Sequence, residues 1–207
     1  LNASILAQAL NLRDELGAMD ITASQRGGTS ALISALRGDE RRASLIVASD
    51  RRKAKVSSTH ELTNGDAAAA VLVGSGDVIA KALAMHSRTI DMVDQYRAAQ
   101  HEIGTSWEER WIRDEGHLKQ VPAAIAAALK EAGITPAQVD RLCVAITAKG
   151  LPQKLAKLAG IDGSRVQDSL SGQVGNAGVA HPLLMLGNAP GQGAPGEQPG
   201  RQQRQRN

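Results

Sequence analysis

The sequence predicts an α/β fold arranged as two related halves, and three observations carry that prediction. Short, nearly continuous apolar runs at residues 45–47, 67–73 and 142–146 have the character of strands covered on both faces. Segments of helical period alternate with them. Each half also contains a helix start gated by glycine, Gly27-Gly28-Thr29 in one and Gly175-Asn176-Ala177-Gly178 in the other. A repeated arrangement of this kind is what an internal duplication leaves.

The elements follow in order. Residues 1–12 place Ile5, Leu6, Ala9, Leu10 and Leu12 at helical spacing, and Gly17 is a stop signal. Residues 18–23 predict a short buried strand around Ile21, residues 24–28 a turn, and residues 29–36 a helix with Leu32, Ile33 and Leu36 inward. Residues 44–49 and 67–73 are expected to be neighbouring buried strands, separated by a polar turn and a loop. Residues 78–90 predict a strand of mixed exposure, and 93–115 a polar excursion. A helix is expected over 121–132, with Pro122 in its first turn and Gly133 just past its end. A short helix at 137–139, a buried strand at 141–147 and an amphipathic helix at 151–158 come next. The second glycine-gated helix spans 174–186. Residues 188–207 are Gly, Pro, Gln and Arg with nothing large to bury, so they are expected to be disordered. The expected divisions are 1–77 for the first half, 78–187 for the second and 188–207 for the tail.

Length and composition bound the function. A chain of 207 residues supports one sizeable core or two small domains. It begins at Leu1, and we expect a fragment of a longer chain. No apolar run is long enough to cross a bilayer, and residues 1–11 lack a signal-peptide pattern, so no membrane association is expected. The lone Cys143 rules out an internal disulfide framework and fits a reducing cytoplasm. The net charge of +3 owes much to Arg201, Arg204 and Arg206. With the body near neutral and only Trp107, Trp111 and Tyr96 as aromatics, nucleic-acid binding is not expected.

Several motifs together resemble the thiolase superfamily, in its hydroxymethylglutaryl-CoA synthase and ketoacyl synthase III-like branch. Residues 10–28 resemble the segment leading to the nucleophile, which ends in nucleophile-x-Gly-Gly-Thr. Leu45-Ile46-Val47-Ala48-Ser49-Asp50 resembles the strand that follows. Gly65-Asp66-Ala67-Ala68-Ala69-Ala70 is similar to the family's Gly-Asp-Gly-Ala-Ala-Ala strand, with Ala67 in place of the second glycine. Residues 94–119, with Trp107-Glu108-Glu109-Arg110-Trp111, resemble an insertion of the synthase-like members. Residues 174–186 resemble the segment bearing the active-site asparagine. The resemblance covers roughly residues 1–187 and implies a thiolase-like layered fold.

The implied chemistry makes or breaks a carbon–carbon bond beside an acyl-CoA thioester. Such condensation uses a cysteine nucleophile at a helix N-terminus, donors for the thioester oxyanion and a proton-handling group. Here the cysteine position is Gln25 and the histidine position falls near Ala145, while Asn176 keeps the asparagine position. The candidate catalytic residues are therefore Asn176 and Gln25, with Gly27, Gly28, Gly175 and Gly178 as candidate substrate-binding positions. Gln25 either donates its amide to a thioester oxygen or simply caps a turn. Asn176 either donates to substrate or serves as an ordinary N-cap.

Other candidates carry less. Ser24 has no histidine at useful spacing, and His60 lies in a loop. Cys143 reads as core packing. His86, His101, His117 and His181 lack metal spacing, and His181 reads as surface or packing. Arg41, Arg42, Arg51, Arg52, Lys53 and Lys55 form a basic cluster that meets CoA phosphates, an acidic partner or solvent. Trp107 and Trp111 anchor a lid, a subunit contact or an internal packing.

Two functions follow from the resemblance. One is an acyltransferase or retro-aldol lyase acting on acyl-CoA, with coenzyme A thioester as substrate and no tightly bound cofactor or metal. The other is a catalytically inactive subunit that binds acyl-CoA or scaffolds a partner enzyme. The resemblance also implies a homodimer joined along residues 45–48, and a zinc-ribbon/OB-fold protein as a further partner.

Overall fold

The computed structural model describes residues 2–22, 24–39 and 41–189. Strands β1 (Ser44–Asp50) and β2 (Ala67–Val73) pair antiparallel, with Ile46 opposite Val71 and Ala48 opposite Ala69. Opposed residues of such a pair share a face, so these four side chains form one apolar surface. Helices α2 (Gly27–Leu36) and α8 (His181–Asn188) cover it. Ile46 and Ala48 are buried there with Ala177, Ala180 and Leu183, and Ala31, Leu32 and Ala35 pack around them. On the opposite face Leu45, Val47 and Leu72 are 46%, 41% and 70% exposed. The expected pairing of these strands is present, but the expected coverage on both faces is not. The described helices lie against one face only, so exposure alternates with the period of two that a half-covered strand requires.

Small residues set how closely these layers approach. A Cβ added at Gly28 would overlap the Val179 carbonyl oxygen and stand 3.1 Å from the Ala48 Cβ. Glycine is therefore needed where α2 meets the turn before α8.

A second cluster is built from the later part of the chain. Val144, Leu151 and Leu155 are buried together, with Leu118, Val121, Leu142 and Ile146 packed against them. Leu118 and Val121 belong to α5 (Leu118–Ala132), and Leu151 and Leu155 to α6 (Leu151–Leu158). Gly133, at φ 69°, closes α5 in the left-handed conformation that glycine tolerates best. Gln167 links α8 to the segment that carries Val144: its Nε2 donates to the Met185 carbonyl at 2.9 Å, and its Oε1 accepts from the Cys143 thiol at 3.0 Å. Helix α8 lies late in the sequence, yet it packs into the core formed by α2, β1 and β2.

The remaining elements are α1 (Asn2–Ala9), α3 (Thr59–Thr63), the hairpin β3 (Gln95–Tyr96) and β4 (Thr105–Ser106), α4 (Glu109–Trp111) and α7 (Ser171–Val174). A π-helical turn, Ile112–His117, joins α4 to α5. Pro122 lacks the N–H that would reach the Leu118 carbonyl, and its ring crowds that carbonyl. The helix nonetheless starts at Leu118, upstream of the expected residue 121, so its Pro122 is interior rather than in the first turn.

Other expectations are corrected. Residues 18–22 form no strand, and Ile21 is exposed. Residues 78–90 have no regular structure, and Ile79 is 94% exposed, because no described strand offers this segment a partner for its backbone groups. Residues 141–147 make a single parallel bridge, Leu142 to Val166, in place of a strand. Cys143 is exposed rather than part of the core, since side chains alternate around buried Val144. The helix expected over 174–186 is broken into α7, a 3-10 turn at Gly178–Ala180, and α8. Gly175 and Gly178, at φ 65° and 54°, turn the backbone out of helical geometry, and Pro182 favours the restart at His181. Helix α8 runs through Asn188, a residue expected in the tail, and residues 190–207 lie outside the described residues.

Gly28→Ala is expected to lower the unfolding free energy by about 1–3 kcal/mol, the usual cost of overpacking a tight contact. Urea denaturation measures it; an unchanged midpoint would contradict the close approach of α2 to the Val179 turn.

Candidate functional site

A cavity of about 870 Å³ opens beside the start of α2. Its walls come from the segment before α2, the end of β1 and the residues after it, α3, and the β3–β4 hairpin. Local bonding explains how Gln25 reaches it. The Ser24 hydroxyl accepts from the Arg26 N–H at 3.1 Å, and the Gly27 N–H donates to the Ser24 carbonyl at 3.0 Å. This tight turn turns the chain into α2 with Gln25 at its crest. Ser24 is thus occupied in shaping the turn. The exposed Gln25 amide donates to Gln95 Oε1 on β3.

Asn176 stands next to the wall rather than in it. Its N–H donates to the Thr63 carbonyl at 2.7 Å, and its carbonyl accepts from the Gly65 N–H at 3.1 Å and from an Arg52 NH2 group at 2.6 Å. Its side-chain Oδ1 accepts from the Gly178 N–H at 3.1 Å, which is a local capping bond. Gln25, Arg52 and Asn64 line the cavity, and Arg52 connects its surface to Asn176. The candidate glycines have visible packing tasks. A Cβ at Gly27 would meet the Ile21 carbonyl at 3.3 Å, and one at Gly175 would meet the Thr63 carbonyl at 3.0 Å. At Gly178 it would overlap the Asp50 carboxylate. Ala145 is exposed and lines no part of this cavity.

The electrostatics centre on Asp50 and Arg52. Asp50 Oδ2 accepts from the Val179 N–H at 3.1 Å and lies 3.8 Å from Arg52 Nε. Burial pulls the Arg52 guanidinium below its usual pKa, while Asp50 opposes that shift. Arg52 Nε and Asn64 Oδ1 are buried without a hydrogen-bond partner, and both residues line the cavity. Arg26, Arg51, Lys53 and Arg97 add positive charge, partly offset by Asp94 and Glu102. Lys53 Nζ bonds Glu102 at 2.6 Å, and a Lys53–Ile103 bridge stitches the hairpin region to the segment after β1. Of the sequence's basic cluster, the cavity takes Arg51, Arg52 and Lys53. Among the described residues, no group of three or more His, Cys, Asp or Glu is arranged to hold a metal.

Of two histidines, His60 differs from its sequence reading and His181 takes the packing role. His60 is on α3, half-buried in the cavity wall, with Nε2 3.1 Å from the Ser106 hydroxyl. The Ser58-x-x-Glu61 spacing marks the helix start in the sequence, but nothing in it places Ser106 opposite. His181 is 2% exposed. Its Nδ1 accepts from the Ala177 N–H at 3.3 Å, so Nε2 carries the proton and donates to the Ser169 carbonyl at 2.7 Å. His181 is a fully used packing residue that fixes the Asn176 turn.

The architecture matches solved structures. The 3-oxoacyl-[acyl-carrier-protein] synthase III of Aquifex aeolicus VF5 superposes with a TM-score of 0.72 at 18% identity, over 90% of this chain and 62% of that one. The corresponding synthase III of Pseudomonas aeruginosa PAO1 gives the same values. An HMG-CoA synthase complexed with CoA matches with a TM-score of 0.66 at 18% identity, over 89% of this chain and 51% of that one. The chain therefore has the α/β thiolase-like fold and spans about half to two thirds of the length of the structures it matches. No protein-family model matches the sequence, and no curated protein matches it. No described helix is long and apolar enough to cross a membrane.

Burial lowers the pKa of His181, and its Arg52 neighbour lowers it further, while the bond to the Ser169 carbonyl raises it. His117 is also lowered by burial, opposed by Asp94. The unfolded chain therefore binds protons that the folded chain refuses. Stability is full above the unfolded histidine pKa of about 6.5 and falls as pH drops below it, by up to about 1.4 kcal/mol per pH unit for each such group. Urea unfolding between pH 8 and pH 5 measures the slope, and His181→Gln is expected to flatten it.

Proposed function

We propose that this chain binds acyl-CoA thioesters in the cavity beside α2. The observation that carries the reading is the basic wall of Arg26, Arg51, Arg52, Lys53 and Arg97 in a cavity that Gln25 also lines, on a thiolase-like fold. Arg26, Arg51 and Arg97 suit the phosphates of coenzyme A. Gln25 is the group proposed to hold the thioester oxygen, and Asn176, just behind the wall with its Oδ1 taken by Gly178, is proposed to seat Arg52 in that wall through its carbonyl. Neither amide can form an acyl-enzyme.

This favours the reading in which residue 25 binds the thioester and does not carry its acyl group. The carbon–carbon bond chemistry implied by the thiolase resemblance is the second reading, as an acyltransferase or a retro-aldol lyase. It is supported by the fold and by Asn176 in the turn that leads towards α8. A homodimer through β1 belongs to the same reading, because among the described residues β1 pairs only with β2 and its other edge is open. Monomer mass by light scattering at micromolar protein would refute the dimer.

Titration calorimetry with acetyl-CoA tests the binding. The double variant Arg51→Gln/Arg97→Gln is expected to weaken affinity about tenfold, or ~1.4 kcal/mol, and Asn176→Ala to weaken it as well. Gln25→Cys is expected to accumulate an acyl adduct mapped to residue 25 by mass spectrometry. No heat of binding to the wild-type chain, or full affinity in every variant, would overturn the assignment.

A further inference from the structure

The cavity contains a pair of side chains that the thiolase-type reading leaves unused. Ser106 Oγ and His60 Nε2 are 3.1 Å apart, both half-buried and both in the cavity wall. Each is held in place by its own element. His60 lies in α3, which is capped by the Ser58 hydroxyl accepting from Glu61 N–H at 3.3 Å and closed by Asn64 N–H donating to the His60 carbonyl at 2.8 Å. Ser106 lies in β4, opposite Gln95 of β3, and the Trp107 N–H donates to the Asp94 carbonyl at 2.8 Å. Opposed residues on antiparallel strands share a face, so Gln95 stands beside Ser106. Gln95 is also the residue whose Oε1 takes the Gln25 amide. With Oε1 occupied, Gln95 has its NH2 group to offer a ligand oxygen. A hydroxyl in hydrogen-bond reach of an imidazole, beside amide donors, is the arrangement that activates a serine nucleophile and stabilises an oxyanion.

We infer that Ser106 and His60 form a nucleophile–base dyad that hydrolyses acyl thioesters, an inference that rests on the acyl-CoA reading of this cavity. Ser106 Oγ adds to the thioester carbonyl while His60 Nε2 takes the hydroxyl proton. The carbonyl oxygen, now negative, is held by the NH2 group of Gln95. The carbon–sulfur bond then breaks, and the leaving thiolate takes the proton from His60. Water gives a proton to His60 and adds to the acyl-serine ester. The ester carbon–oxygen bond breaks and Ser106 regains its proton. The sum is thioester plus water to carboxylic acid plus thiol, with no oxidant, reductant or metal.

The test uses the whole chain. A fluorophosphonate probe followed by peptide mass mapping is expected to label Ser106, with labelling absent in Ser106→Ala and reduced at least tenfold in His60→Gln. Thiol release from acetyl-CoA and hexanoyl-CoA is expected to fall about a hundredfold or more in both variants, in line with loss of a nucleophile or a general base. A non-hydrolysable thioether analogue of acetyl-CoA is expected to bind Ser106→Ala as it binds wild type, which separates lost chemistry from a lost fold. Ser106→Cys is expected to retain turnover and become sensitive to iodoacetamide. If wild type binds the analogue but Ser106 stays unlabelled, or if thiol release is unchanged in Ser106→Ala, the dyad is overturned and the binding reading stands. If wild type does not bind the analogue, the acyl-CoA reading fails and takes the substrate named here with it.

Discussion

The structure depends on the crossing of one turn over the end of one strand. Asp50 ends β1, and its carboxylate takes the Val179 N–H, while Arg52 takes the Asn176 carbonyl. These bonds pull the turn at residues 176–180 against the sheet until only hydrogens fit at Gly28 and Gly178. The buried alanines at 48, 177 and 180 serve the same closeness. A packed interior tolerates neither a gap nor an added methyl at such a contact. Everything that lines the cavity hangs from this crossing. Gln25 leads into the helix that Gly28 seats, and Arg52 and Asn64 flank the residue that the turn delivers.

Much of the framework was legible because it rests on local chemistry. The apolar runs at residues 44–49 and 67–73 specify strands, and Gly133 marks a helix end through its backbone freedom. Elements that need a distant partner were misread. Residues 78–90 have strand-like alternation, but a strand exists only when another accepts its hydrogen bonds, and the sequence of one segment does not say whether one does. The glycines at 175 and 178 were read as helix gates, whereas their left-handed backbone breaks the helix and their missing side chains admit Asp50 and Thr63. A glycine that approaches protein and one that approaches ligand look the same in sequence.

The same limit governs the site. Gln25 was found because it occupies a position in a motif. His60 was set aside because its segment reads as a loop and its partner is 46 residues away. The pairing of His60 with Ser106 exists only because the hairpin at 95–106 folds back over α3, and that return is stitched by Lys53 to Ile103 and Glu102. Long-range juxtapositions of this kind leave no periodicity behind. Cys143 illustrates the reverse case: an apolar neighbourhood suggested burial, but strand-like alternation turned it outward and gave its thiol to Gln167.

Helix α1 adds a link between a helix cap and the cavity. It buries none of its residues, and its first backbone N–H groups, at Asn2 and Ala3, are taken by the Asp20 carboxylate at 2.9 and 2.8 Å. Asp20 immediately precedes Ile21 and Thr22, which form part of the cavity wall. The cap of a marginal helix and the rim of the site are thus one stretch of backbone. The Asp20 carboxylate ties the start of α1 to the backbone that leads into the cavity wall.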